Sequence, residues 1–277
     1  MNRQSLVEAI KVKKSMLCVG LDVHPGLLPK GMDQTPEMVL AFNKAIIDAT
    51  LPYAVSYKLN SAFYESFGLE GWQVMANTFS YLQNKCVLII ADAKRGDIGN
   101  TSEQYAKAFL HQLQADAITV APYMGFDSVK PFLNIENKWT ILLGLTSNAG
   151  SEDFQMQKLA NGKFLFEEVL AKAVAWGSPE NLMFVVGATQ TDRFKQVRAI
   201  ACNHFLLVPG IGAQGGDLES TLEAGIIDDI GLLVNASRSI IFASKESDYA
   251  EKAGEAAKAL QQEMELFLDR KAKQGKQ

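Results

Sequence analysis

CVLIIADAKRGDIGNT, residues 86–101, is the stretch on which the reading of the fold turns. Cys86 to Ala91 is purely apolar; Asp92, Lys94, Arg95 and Asp97 then arrive within six residues. A short apolar run that stops at a charged mouth reads as a strand buried on both faces, as in a parallel sheet. Seven other runs share this character: MLCVGLD (16–22), AVSYKLN (54–60), AITVAPY (117–123), TILLGLTS (140–147), LMFVVGAT (182–189), FLLVPGIG (205–212) and LLVNASR (232–238).

Helical patterns lie between the runs. Thr35-Pro36 predicts an N-cap with proline at the first helical position, and Met38, Phe42 and Ile46 follow at helical spacing. Thr101 and Gln104 form a capping-box pattern, with Tyr105, Phe109 and Leu113 continuing one face. Further helices are expected near 163–176, 190–203, 217–225 and 248–272. Eight alternations predict a (β/α)8 TIM barrel occupying 1–277 as one domain, with an open doubly wound sheet as the alternative. No Gly/Ser/Pro linker divides the chain. Polar residues gather where the runs end: Asp22, Lys58, Asn60, Asp92, Lys94, Thr146, Ser147, Gln214 and Arg238. A barrel brings all C-terminal strand ends to one face, which carries the chemistry.

The bulk numbers agree with this. A chain of 277 residues, 48% hydrophobic and 21% charged, needs no disulfide or metal to build its core. A net charge of −4 without a basic stripe argues against non-specific nucleic-acid binding. Cys18 and Cys86 lie in apolar runs and are expected as buried free thiols; together with Cys202 they have no metal-like spacing. The start lacks an apolar signal core, and no run approaches the ~20 residues of a membrane span. A cytoplasmic protein without membrane contact is expected.

Asp92-x-Lys94-x-x-Asp97 on a surface loop would be an ordinary ion pair of little consequence. At a strand end the reading changes, because residues two apart share a side, so Asp92 and Lys94 should both face the barrel mouth. Lys58, from the neighbouring strand, would complete an alternating charge array. Lys94 then suits a general acid that protonates a developing carbanion, with Asp92 holding it. A Schiff-base lysine needs a depressed pKa, which flanking carboxylates oppose. Asp92 and Asp97 also admit a magnesium reading, although the Lys94 ammonium would take the cation's place. VPGIGAQGGD (208–217), after the seventh run, is a glycine-rich loop suited to an anion, and Arg238 after the eighth can grip a phosphate. TSNAGSED (146–153) opens a long connection, where Thr146 or Ser147 could meet a polar ring edge. His24, His111 and His204 show no convergent pattern and read as structural or solvated.

Taken together, GLD (20–22), YKLN (57–60), DAKRGDIGNT (92–101), TSNAGS (146–151), PGIGAQGGD (209–217) and NASR (235–238) resemble the orotidine 5′-phosphate decarboxylase family, in its longer-chain class, over nearly the whole chain. A sister group of sugar-phosphate aldolases and decarboxylases, some of them magnesium-dependent, shares the DxKxxD core. The resemblance implies cofactor-free, metal-free conversion of orotidine 5′-monophosphate to uridine 5′-monophosphate and CO2, the last step of de novo pyrimidine nucleotide synthesis. It implies a catalytic set of Lys58, Asp92, Lys94 and Asp97, with Lys94 donating the proton to C6. Asp22 and Asn60 would lie near the ribose hydroxyls, Ser147 at the pyrimidine, and Gln214 and Arg238 at the phosphate. Asp97, Ile98 and Thr101 would come from the second subunit of a homodimer with shared sites. A magnesium-dependent lyase or epimerase on the same barrel, and an inactive nucleotide-binding module, are the alternatives.

Overall fold

The structure, a computed structural model, describes residues 1–211 and 216–274. Eight parallel strands close into a barrel in sequence order. They are β1 (Leu17–Gly20), β2 (Ser56–Asn60), β3 (Leu88–Arg95), β4 (Ala117–Val120), β5 (Trp139–Leu145), β6 (Leu182–Val186), β7 (Phe205–Pro209) and β8 (Leu232–Ala236). β1 pairs with β2 on one side and β8 on the other, so no edge is left and the open-sheet alternative falls. Each strand coincides with one apolar run, except that β5 starts one residue earlier and β3 runs on to Arg95. The runs are continuous because helices cover the outer face of a ring whose inner face is itself packed.

Thr35 caps the helix Pro36–Thr50, its Oγ1 accepting from the Met38 N–H at 3.3 Å. Phe42 and Ile46 are buried on its inner face, and Phe42 stacks on Tyr249 of the last helix, Tyr249–Gln274. The other expected helices are Leu165–Val174, Phe194–Ile200 and Leu218–Gly225. Periodicity does not mark the helix Arg3–Lys13, which braces the N-terminal end of the barrel: buried Arg3 donates to Asp229 and to the Pro179 carbonyl. No helix among the described residues is long and apolar enough to cross a membrane.

Two local expectations fail. Cys18 is buried but Cys86 is exposed, because β3 begins only at Leu88 and Cys86 sits in the preceding turn at φ +52°. Thr101 is not a helix cap. The helix Gly99–Ala106 starts earlier, with Ile98 at the N-cap, because Gly99 turns the chain at φ +41° and Asp97 satisfies the Ile98 N–H at 2.7 Å.

Candidate active site

Lys58 is almost fully buried on β2, and an ammonium there must be paired. Its Nζ donates to Asp92 Oδ2 at 3.1 Å and to Asp22 Oδ1 at 3.2 Å. Asp92, on β3, accepts at its other oxygen from Lys94 Nζ at 2.6 Å and from Thr119 Oγ1 at 2.9 Å. Charges therefore alternate from Asp22 through Lys58 and Asp92 to Lys94. Burial alone would strip the proton from Lys58, but Asp22 and Asp92 outweigh it and raise the pKa. Burial likewise would raise the Asp92 carboxyl, but Lys58, Lys94 and the Thr119 hydroxyl hold it down at about 2. Lys58 and Asp92 are therefore both charged at neutral pH. Only the Lys94 side chain is half exposed.

Asp92 and Lys94 meet as strand alternation predicts, yet by a different route. Ala91 pairs with Ile118, and the next pairing is Arg95 with Val120, so β3 bulges against β4. Lys94 lies within the bulge at φ +45°, a conformation uncommon for lysine. Its N–H donates to Thr119 Oγ1 at 2.9 Å. Arg95, by contrast, turns away from the cavity, pairing with Glu65 and lying over the rings of Tyr105 and Phe109.

Asp22 follows β1 and is held from three directions: by Lys58, by the Asn60 N–H at 3.3 Å, and by Ser237 Oγ at 2.9 Å. Gly20 makes the last contact possible, since a Cβ there would stand 1.8 Å from Ser237 Oγ. The Asn60 side-chain oxygen accepts from the Ala62 N–H, capping the short helix Ser61–Glu65.

A cavity of about 440 Å³ opens over the array, and Asp22, Lys58, Asp92, Lys94, Thr119 and Arg238 all line it. Arg238 is exposed and forms no ion pair with any described residue. Asn60, Asp97, Ile98, Thr101 and Ser147 are not among the lining residues. Ser147 instead packs against Gly187, where a Cβ would come within 2.6 Å of it. Ile98 and Thr101 are exposed. Gln214, Gly212 and Gly215 lie outside the described residues. His24, read from sequence as structural or solvated, is exposed and lines the cavity, with Nδ1 accepting from Gly26 N–H at 3.2 Å. Thr119, Asn235 and Ser237 also line or brace the site without having been singled out. Asn235 Oδ1 is buried without a partner among the described residues. The signal for Thr119 was a hydroxyl in an otherwise apolar strand beside the charged one. Both Asp92 oxygens already bind ammonium groups, so a magnesium ion shared with Asp97 has no place prepared for it. No cluster of three or more His, Cys, Asp or Glu that could hold a metal ion occurs among the described residues.

A closed barrel with alternating ammonium and carboxylate groups at its C-terminal strand ends places the chain in the class of (β/α)8-barrel enzymes. Within that class the relationship is close. The chain belongs to the orotidine 5′-phosphate decarboxylase / HUMPS family, whose model matches residues 15–253. It is 54% identical over 270 residues to the orotidine 5′-phosphate decarboxylase of Phocaeicola vulgatus, covering 97% of this chain and 99% of that protein. Among solved structures, the OMP decarboxylase of Leishmania donovani is similar at a TM-score of 0.79 and 36% identity, over 94% of this chain and 99% of that one. The UMP synthase of the same organism matches at a TM-score of 0.81 and 38% identity over 93% of this chain, which spans only 56% of that longer protein.

Proposed function

We propose that this protein decarboxylates orotidine 5′-monophosphate to uridine 5′-monophosphate and CO2, without cofactor or metal, as the last step of de novo pyrimidine nucleotide synthesis. The observation that carries the reading is the paired array Asp22–Lys58–Asp92–Lys94 beneath one cavity, ending in a half-exposed ammonium. Breaking the bond from C6 to the carboxylate leaves its electron pair on C6, in the ring plane, where the pyrimidine π-system delocalises it poorly. A preorganised ammonium stabilises that charge without reorganising at the moment of reaction. Lys94 then transfers a proton to C6 and is reprotonated from water. Asp92 faces the substrate carboxylate and disfavours it relative to the departing, uncharged CO2.

In this reading Asp22 and Asn60 meet the ribose, Ser147 the pyrimidine, and Gln214 and Arg238 the phosphate. The Arg238 guanidinium, uncommitted to any described carboxylate, supports the last role. Asp97, Ile98 and Thr101 complete the site of a second copy in a homodimer. Support comes from Asp97 standing off its own cavity and from the exposed apolar side chains of Ile98, Tyr123, Met124 and Phe126 following β3 and β4. The whole of 1–277 serves as one barrel domain, in the cytoplasm, where free Cys18, Cys86 and Cys202 suit a reducing environment, with no nucleic-acid or membrane partner.

The test follows loss of orotidine 5′-monophosphate by ultraviolet absorbance, with and without EDTA. Equal turnover in both is expected. Turnover abolished by EDTA would favour the magnesium-dependent lyase group, and no turnover by folded protein would favour the inactive module.

A further inference from the structure

We propose that Thr119 is a positioning residue for the decarboxylation, its hydroxyl joining the backbone of Lys94 to the carboxylate of Asp92 and so setting where the ammonium stands. The inference rests on the reading of Lys94 as the proton donor. Thr119 Oγ1 accepts from the Lys94 N–H and donates to Asp92 Oδ1, both at 2.9 Å. Lys94 Nζ returns to the same Asp92 oxygen at 2.6 Å. Lys94 is thus held at both ends by one closed circuit of three hydrogen bonds.

The circuit answers a problem that the bulge creates. The pairing of β3 with β4 passes from Ala91 directly to Arg95, so the residues between them make no register partner on β4. Lys94 also carries a left-handed backbone, which a non-glycine residue holds only when its surroundings enforce it. Thr119 itself is 1% exposed and has no other side-chain partner among the described residues, so its hydroxyl is committed to this task. Without that oxygen the Lys94 N–H loses its acceptor, Asp92 loses one of its donors, and the bulge is free to relax. Arg238 and the cavity wall on the β8 side are untouched by the change.

The geometry predicts a split between steps. Displacing the ammonium affects proton delivery and charge stabilisation while leaving the grip on the nucleotide. Thr119→Val keeps the shape and removes the hydroxyl; kcat should fall about 10–100-fold, the scale of a 1 Å misplacement, with KM changed by no more than about threefold. Thr119→Ser restores the oxygen and should recover most of kcat, whereas Thr119→Ala should not. A residue that merely packs gives the opposite order, with Val nearest wild type and Ser no better than Ala. That order would overturn the proposal. Ser and Ala both lack the methyl group, so their comparison decides the matter even where the Val variant is too unstable to assay.

A second readout does not depend on turnover. Hydrogen exchange of the Lys94 amide, followed by NMR, should be slow in wild type and Thr119→Ser, and at least about tenfold faster in Thr119→Ala, the factor for about 1.4 kcal/mol of lost protection. An unprotected Lys94 amide in wild type, or unchanged protection in the Ala variant, sinks the positioning role. Protection that follows the hydroxyl in an enzyme that fails to consume orotidine 5′-monophosphate would instead retain the circuit and defeat the functional reading.

Discussion

Asp92 receives two ammonium groups and one hydroxyl on two oxygens, and this crowding separates the site from a surface ion pair. A lone Asp–Lys pair in solvent contributes little. Here the partners are fixed before substrate arrives, and the half-exposed Lys94 ammonium is the most exposed member of the array that lines the cavity. Lys94→Ala should therefore lower kcat by about 10²–10⁴-fold, the range of a positioned general acid. Its fold should survive, because Asp92 keeps Lys58 and Thr119. Near-wild-type decarboxylation by the folded variant would remove Lys94 from the mechanism. Lys94→Arg should fail as well, since a planar guanidinium misplaces the charge and resists giving up its proton. Lys58, Asp92 and Lys94 were legible in the chain because charge at the end of an apolar run is costly unless it serves something. Thr119 was not, since a threonine in a strand is ordinary until its neighbours are known.

Among the elements, β1 and β8 show how close packing builds the site. Gly20 has no side chain, so Ser237 can approach and bond Asp22. Gly20→Ala should destabilise the protein by about 1–3 kcal/mol, the usual cost of overpacking. Adding Ser237→Ala removes the oxygen that the new methyl would strike, so the double variant should regain part of that loss. Urea denaturation of the two variants checks this; equal stability would mean that the clash lies elsewhere. The eight strands themselves were readable from apolar runs. Their irregularities were not: the β3 bulge and the exposed turn at Cys86 arise from how neighbouring strands register, which a single run does not encode.

Two properties belong to the whole molecule. The first is assembly. If Asp97 acts on the neighbouring copy's substrate, inactive Lys94→Ala and inactive Asp97→Ala subunits should complement each other when mixed. Random exchange between two-fold dimers leaves up to about one site in four intact. Verified exchange without recovered activity would refute the shared site. The second is pH. His204 is buried against Phe184, and neither ring nitrogen has a partner among the described residues. Burial, reinforced by Arg3 and Arg198, lowers its pKa from 6.5 to about 4. The unfolded chain protonates His204 first, so its contribution is fully present above pH 6.5 and is lost as pH falls from there towards 4, by up to about 3 kcal/mol. His204→Phe should be the less pH-sensitive protein across that window. Parallel stability curves for the two proteins would show that His204 titrates normally.

The chain by itself determined the eight alternations and the inner part of the candidate site, while the pairing of β1 with β8 decided for a closed barrel over an open sheet. Eight both-face-buried runs, each ending in polar residues, have few ways to satisfy their backbones and bury their surfaces, and closure in order is the simplest. Lys58, Asp92 and Lys94 follow from that closure, since strand ends must share one face. Only the tertiary structure decided that Arg95 turns outward onto Tyr105 and Phe109 while Lys94 turns inward, although both are cations in one motif. It also decided that Thr119, Ser237 and Gly20 hold the array in place. The physical reason is distance: charge and hydropathy are carried residue by residue, whereas a hydrogen bond between Ser237 and Asp22 exists only once closure brings together positions 215 residues apart.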